Sequence, residues 1–379
     1  MSADRLISVC IRGVSGVPHL TWAEASWFRL PYSLLIKSGM LEYVDPDGNL
    51  AMPGKLPPID PNAGGELRLR AAFTEVQPWF TNLPISYQII PPRVRSLMGR
   101  AMGRWRRRQT NRWAAFPTWP LDLSADFLID LVGQKPSPFA KGRTPVILTH
   151  DLDSPEGLKN LAEKFLGMEE SVGAQSVNFI VPCAWEIDHR LLDQVREGGH
   201  EIGVHGYDHS NRTAFCPAAE RRRRLLGGQT LRERYGAMGY RAPSLWRTKE
   251  LLQDLAEFYQ YDSSIPTSGG LFPVPNNGCA SARPFRIDGI MEIPLTLPRD
   301  GSLIFLGYSP PEILDMWIAC AERISRAGGV VVLLTHCESR FSGNESMLGI
   351  YREFLRFVHS SSKFAFRTIQ AVIQTAGDS

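Results

Sequence analysis

The chain has 379 residues, of which 43% are hydrophobic and 21% charged, with a formal net charge of +3. That is the make-up of a soluble globular protein with a sizeable core, long enough for one large domain or two ordinary ones. So small a charge excess gives no ground for nucleic-acid binding, and no apolar run reaches membrane-spanning length. The six cysteines are scattered, with no CxxC pair and no disulfide-framework spacing. Residues Met1 to Val14 include Asp4 and lack a long apolar core, so no export signal is expected and the cytoplasm is the expected location.

Residues 1–140 read as an accessory region of unclear fold packed on the remainder of the chain. Trp22 to Leu41 is amphipathic in fragments, and the Pro/Gly-rich stretch Pro46 to Gly65 reads as loop. Between Arg93 and Arg112 stand eight arginines and no acidic residue, interleaved with Trp105 and followed by Trp113. This segment fits a cationic surface for a phosphate-bearing substrate or an anionic lipid head group, hence peripheral membrane contact. It equally fits a solvated face whose arginine stems cover apolar surface. Asp122 to Leu131 reads as a helix capped by Ser124, followed by a Pro/Gly linker at 133–145.

From 141 to 379 the pattern changes. Short apolar runs at 146–150, 176–182, 200–205, 239–243, 260–264, 291–297 and 330–336 read as strands. Amphipathic stretches at 156–171, 188–197, 217–235, 248–258, 311–327 and 345–358 read as helices, with a closing apolar segment from Phe364 to Ile373. Such alternation implies a parallel sheet with helices outside, either an open doubly wound sheet or a barrel. In both, chemistry gathers at the carboxyl ends of strands. The polar residues of this half fall there: after Leu148, Val204, Tyr240 and Leu334.

The first of these strands ends in Asp151-Leu152-Asp153, two carboxylates that share a side because strand residues alternate. Two buried carboxylates side by side are costly unless a cation sits with them. His205 and His209, four residues apart, would share one face of a single helical turn after their strand and complete a cation site. Two histidines and one aspartate leave coordination positions open, as a catalytic rather than structural metal requires. His150 points the other way and reads as packing or as support behind the site residues, Cys337 as a bland buried thiol, and Glu220 to Arg224 as an exposed helix face.

These motifs, Thr149-His150-Asp151-Leu152-Asp153 and Gly199 to Ser210, resemble the first two of the polysaccharide deacetylase family (NodB homology, carbohydrate esterase family 4). Arg241-Ala242-Pro243-Ser244 is similar to its third motif, Tyr261-Asp262-Ser263-Ser264 loosely to its fourth, and Val331 to His336 to its fifth. The resemblance covers about 146–375. It implies a distorted (β/α) barrel of about seven parallel strands, with residues 1–140 as an additional N-terminal region and 141–379 as the catalytic domain. One divalent metal is implied, zinc or another transition ion, held by Asp153, His205 and His209. Asp151 takes the place of the catalytic base, oriented by Arg241, and His336 that of the general acid. The family's commoner pattern has adjacent aspartates, so Asp-Leu-Asp marks a subgroup and leaves open which carboxylate is base and which is ligand.

For the substrate, Leu334 would line an acetyl pocket and the backbone N–H near Ser244 would face the oxyanion. Trp185 and Tyr207 would stack on a sugar or pack at the rim. Asp262 would tune His336, meet sugar hydroxyls or start a turn. The activity implied is removal of an N-acetyl or N-formyl group from an amino sugar in a glycan, glycoconjugate or sugar-containing metabolite, with a phosphate-linked or lipid-linked sugar among the candidates. The alternatives are allantoinase-like hydrolysis of a non-sugar C–N bond and a catalytically silent carbohydrate-binding relative.

Overall fold

The computed structural model describes residues 8–11, 20–21, 41–44, 63–70, 77–78, 90–113, 120–123, 125–126, 129, 137–269 and 278–377. The expectations placed on most of Trp22 to Leu41, on residues 46–62, on Ser124 and on residues 133–136 lie outside the described residues. At the N-terminal end, β1 (Ser8–Ile11) pairs antiparallel with β2 (Leu20–Thr21) and β3 (Leu41–Val44). Two helices come next, α1 (Ala63–Arg70) and α2 (Pro92–Trp113). The last residues of the stretch read as loop, Ala63 to Gly65, are therefore helical.

Seven strands at the expected positions make the main sheet: β4 (Thr144–Leu152), β5 (Ser176–Ile180), β6 (Glu201–His205), β7 (Gly239–Arg241), β8 (Tyr261–Asp262), β10 (Ile290–Glu292) and β11 (Val331–His336). They run β11-β4-β5-β6-β7-β8-β10, all parallel. Two short strands complete the sheet: β9 (Phe285–Ile287), which carries no signal in the sequence and runs antiparallel to β10, and β12 (Phe364–Phe366), which opens the closing apolar segment and runs parallel to β4. Beyond β10 the chain crosses towards β11, where the Leu297 N–H donates to the Val332 carbonyl and the Val332 N–H to Thr296 Oγ1. Those bonds bring the two ends of the curled sheet together. The fold is a distorted (β/α) barrel.

Helices cover the outside. They are α3 (Pro155–Asn160) joined by one π turn to α4 (Leu166–Glu170), α5 (His189–Glu197), α6 (Ala218–Leu226), α7 (Gln229–Tyr235), α8 (Lys249–Leu255), α9 (Asp300–Leu306), α10 (Pro310–Arg326), α11 (Glu345–Ser360) and α12 (Ile369–Gly377). The single helix expected over 217–235 breaks at Gly227-Gly228, where a Cβ on Gly227 would meet the Tyr207 ring at 2.5 Å. The helix α9 gives no sequence signal. Its seven residues are too few to show a period, and five of them are buried.

Alternation along buried strands divides the core in two. Val146, Leu148 and Leu152 face the helices, in the outer core. Ile147, Val177, Phe179, Tyr261, Met291, Val332 and Leu334 fill the barrel, which Phe139 and the α12 residues Ile369 and Val372 close from below. The interior is tight: a Cβ on Gly203 would stand 2.6 Å from the Phe179 ring. Gly203→Ala is therefore expected to lower stability by about 1–3 kcal/mol, the range for overpacking a filled core. Urea unfolding checks this, and an unchanged midpoint would mean the Phe179 ring yields freely.

Candidate active site

The parity that sends Ile147 and Thr149 into the barrel sends Asp151 there too, with Asp153 just beyond the strand end. The same parity puts His205, Arg241 and His336 inside, each at the carboxyl end of its strand. Register brings them level, with His336 opposite Asp151 and His205 opposite Arg241. Arg241 is fully buried. Its Nη1 donates to Asp151 Oδ1 at 3.0 Å and to Thr149 Oγ1 at 2.9 Å, its Nε and Nη2 donate to the Ser263 carbonyl and hydroxyl, and its guanidinium lies 4.1 Å over the Phe179 ring. Burial alone would raise the Asp151 pKa, but the charges of His205, Arg241 and His336 outweigh it and hold the carboxyl below its ordinary value.

Asp153 stands with the two imidazoles. Its Oδ1 is 3.5 Å from His205 Nε2 and 3.2 Å from His209 Nε2, and the three ligand atoms fall within 4.8 Å of one another. That oxygen is buried and makes no hydrogen bond among the described residues. His205 Nδ1 lies 3.0 Å from the Arg241 carbonyl, which can only accept, so Nδ1 carries a proton and Nε2 is the nitrogen turned to the carboxylates. A buried carboxylate oxygen without a hydrogen bond, facing the Nε2 atoms of two imidazoles, fits a cation between them. Two imidazoles and a carboxylate are a donor set for a transition ion such as zinc. Against the raising effect of burial, the histidines hold the Asp153 pKa well below its usual value.

His209 reaches this cluster by a different path from the expected helical turn. After His205 the chain bends through Gly206 (φ +68°), His209 (φ +56°) and Asn211 (φ +66°), left-handed conformations that no helix contains. Asp208 anchors the bend by accepting from Arg224 Nη1 at 3.0 Å and from the Ser210 N–H at 3.0 Å. Arg224 and Arg221 are thus buried, correcting the reading of 220–224 as wholly exposed; Arg221 pairs with Asp254 at 2.6 Å.

His336 has a partner that the sequence does not reveal. Asp300, the first residue of α9, accepts from His336 Nδ1 and from the His336 backbone N–H, both at 2.7 Å, and from Ser342 at 2.6 Å. Burial lowers the imidazole pKa, but Asp300 more than reverses this, with smaller help from Asp153 and Asp151, and raises it to about 9. Asp262 does not tune His336. It lies on the opposite strand parity, where it accepts from Ser264 at 2.6 Å beside Glu292, away from the barrel interior.

Other expected contacts are placed as follows. Leu334 is buried inside the barrel, two residues before His336. Ser244 sits in the turn after Arg241 at φ +52°, next to Leu245 at φ +60°. Trp185 packs on the outer core, and the Tyr207 ring lies under the guanidinium groups of Arg223 and Arg224, at 5.4 and 5.0 Å. Two further residues, unmarked in the sequence, border the carboxylates. Glu338 accepts from the Asp153 N–H at 3.0 Å and from Ser154 at 2.8 Å, and burial with the neighbouring Asp153 charge pushes it up to about 7. Arg299 is buried, and burial brings it down to about 10 against the pull of Asp151, Asp300 and Asp153. Both arise from contacts distant in sequence.

Behind the strand, His150 is buried as packing. Its Nε2 lies 2.7 Å from Glu169 and its Nδ1 2.8 Å from Thr335, and Tyr351 donates to the same Glu169 oxygen at 2.6 Å. Cys337 is also buried, and burial pushes its thiol well above the ordinary value.

No protein-family model matches the sequence, and no curated relative was found. Solved structures share the fold. One described as a polysaccharide deacetylase from Mycobacterium smegmatis is 21% identical with a TM-score of 0.50, covering 63% of this chain and 92% of that one. A second, so described from Pseudomonas aeruginosa PAO1, and the Puue allantoinase are each 15% identical with TM-scores of 0.51, covering 69% of this chain and 98% of theirs. The barrel thus has the fold of these solved structures, and the described helices include none long and apolar enough to cross a membrane.

The His336–Asp300 pair carries a measurable consequence. A histidine whose folded pKa is raised stabilises the fold fully below its unfolded value of 6.5, and that contribution is lost as pH rises through about 9. In metal-free protein, NMR titration of His336 is expected to show a midpoint well above 6.5, and Asp300→Asn to bring it down. A wild-type midpoint at or below 6.5 would remove Asp300 as the cause.

Proposed function

We propose that the chain is a metal-dependent hydrolase of a carbon–nitrogen amide bond, related to the polysaccharide deacetylases, that removes the N-acetyl or N-formyl group of an amino sugar. The observation that carries this reading is the meeting of three units at one barrel mouth: Asp151 with Arg241, Asp153 with His205 and His209, and His336 with Asp300. Asp153, His205 and His209 would hold the cation, whose chemistry is to polarise a carbonyl and make water a better nucleophile.

The remaining roles belong to the chain's own groups. Asp151, kept ionised by Arg241, accepts the proton of the attacking water, so Asp151 is the base and Asp153 the ligand. His336, held protonated by Asp300, gives its proton to the departing nitrogen. Burial of Arg241, Asp151 and His336 keeps competing water from these charges, which strengthens them.

Purified full-length protein is expected to carry one divalent ion per chain and to release free amine from N-acetylated amino sugars. His205→Ala should lose both the ion and the activity, which elemental analysis and amine detection check; retained ion would sink the ligand assignment. Ureides form the second arm of the assay, because the allantoinase is as similar in fold as the Pseudomonas structure. Hydrolysis of a ureide in place of the sugar would replace the substrate class and keep the site.

Asp151→Asn should keep the ion and lower kcat by about 10²–10⁴, the range for a general base. The pH profile should rise through the acid range as Asp151 ionises and fall on the alkaline side as His336 loses its proton. That fall lies at or below about 9, because a bound cation can only lower the His336 pKa. An alkaline limb unaltered by His336→Gln would remove His336 as the acid.

A further inference from the structure

The arginine-rich segment is the helix α2, and its side chains sort by face. At 3.6 residues per turn, Gly99, Gly103 and Arg107 share one side. That side is docked on α9: Gly99 would place a Cβ 3.1 Å from the Phe305 ring, and at Gly103 a Cβ would overlap the Phe305 carbonyl. Arg107 fixes the register, with its Nη1 donating to the Gly307 carbonyl at 2.7 Å, its guanidinium 4.3 Å over the Tyr308 ring and its Nη2 3.6 Å from Glu312. Roughly opposite lies a stripe of Val94, Leu97, Met98, Met102 and Trp105, at the i, i+3, i+4, i+8, i+11 positions of one helix face.

This stripe is open to solvent. Leu97 is 69% exposed, Met98 57%, Trp105 50%, Met102 48% and Val94 45%. Among the described residues these are five of the seven exposed large hydrophobics. Although Arg106 lies 5.0 Å over the Trp105 ring, the arginine stems leave much of this apolar surface uncovered, which goes beyond a merely solvated face. Arg93, Arg100 and Arg104, all exposed, border one edge of the stripe, with no acidic residue along the helix.

We propose that α2 is an in-plane membrane anchor whose Val94–Trp105 stripe seats in the interface of an anionic phospholipid surface. The apolar stripe selects a lipid surface over a soluble phosphate, which would need the cations and leave the stripe idle. Charge complementarity selects anionic lipid, because the exposed cationic border of Arg93, Arg100 and Arg104 meets negative head groups where the apolar face enters. Among the described residues, docking on α9 leaves one face of the helix free, which suits a plane and denies a partner the chance to wrap it. The inference is independent of the hydrolase reading, since no residue of the stripe belongs to the candidate active site.

The test is co-flotation of the full-length protein with phosphatidylcholine vesicles, with or without about a third phosphatidylglycerol. The protein should float with the anionic vesicles, weakly or not at all with the neutral ones, and binding should fall as salt rises. Leu97→Glu/Met98→Glu should reduce binding at least tenfold, and Arg100→Glu/Arg104→Glu should do the same through charge, each arginine carrying about fivefold. Both variants should keep the wild-type melting temperature, mass in solution and amide hydrolysis. No flotation with anionic vesicles, or flotation unchanged in both variants, overturns the proposal. A drop in mass for the apolar variant would show that a second copy covers the stripe, and a drop in melting temperature that this chain does; either overturns it.

Discussion

A single buried arginine organises the barrel mouth. The Arg241 side chain holds Asp151, while the carbonyl of the same residue fixes the ring of His205. One residue on one strand thus orients both the candidate base and a candidate metal ligand. Such a guanidinium is tolerable inside an apolar barrel only because Thr149, Asp151 and Ser263 accept from it and Phe179 lies flat beneath it. Breaking a buried pair of this kind by removing one partner costs about 3–5 kcal/mol, because the other charge is left without compensation. Stability and chemistry therefore rest on the same ion pair.

Around it the charges balance in layers. Asp151, Asp153, Asp300 and Glu338 lie close enough to perturb one another or the same imidazole, and Arg241, Arg299 and Arg340 answer them with the histidines. The groups settle unequally: Asp151 and Asp153 are held ionised, Glu338 is pushed towards neutrality, and His336 towards its charged form. Titrations driven apart by their surroundings are what acid and base roles at one pH require.

Much of this is legible in the chain. Strand alternation alone puts Asp151 and Asp153 on one side, and the carboxyl-end rule gathers Arg241, His205 and His336 with them. The seven parallel strands follow from apolar runs bounded by turn residues. The features that escape such reading are built by contacts remote in sequence. Asp300 stands on a helix too short to show a period, Glu338 follows a strand whose apolar signal has ended, and Arg224 sits in a run of arginines that looks uniformly solvated. The path of His209 departs from expectation because i, i+4 spacing suggests a helical turn, whereas the left-handed bend at Gly206 and His209 achieves the same meeting. The arginine-rich segment 93–112 resists reading for another reason: composition alone does not say whether its arginine stems cover the neighbouring apolar residues or leave them exposed.

The hydrogen-bonded cluster behind β4 bears on how accurately the mouth is assembled. His150 and Asp151 are neighbours on opposite faces, so a slip of one residue would exchange them. Thr335 and Glu169 grip the imidazole from the rear and make that exchange prohibitive, since a carboxylate would then meet Glu169 in a dry interior. The back of the sheet thereby acts as an alignment key for the front, and a lesion at His150 or Glu169 would reach the chemistry as a misregistered strand rather than as a missing group.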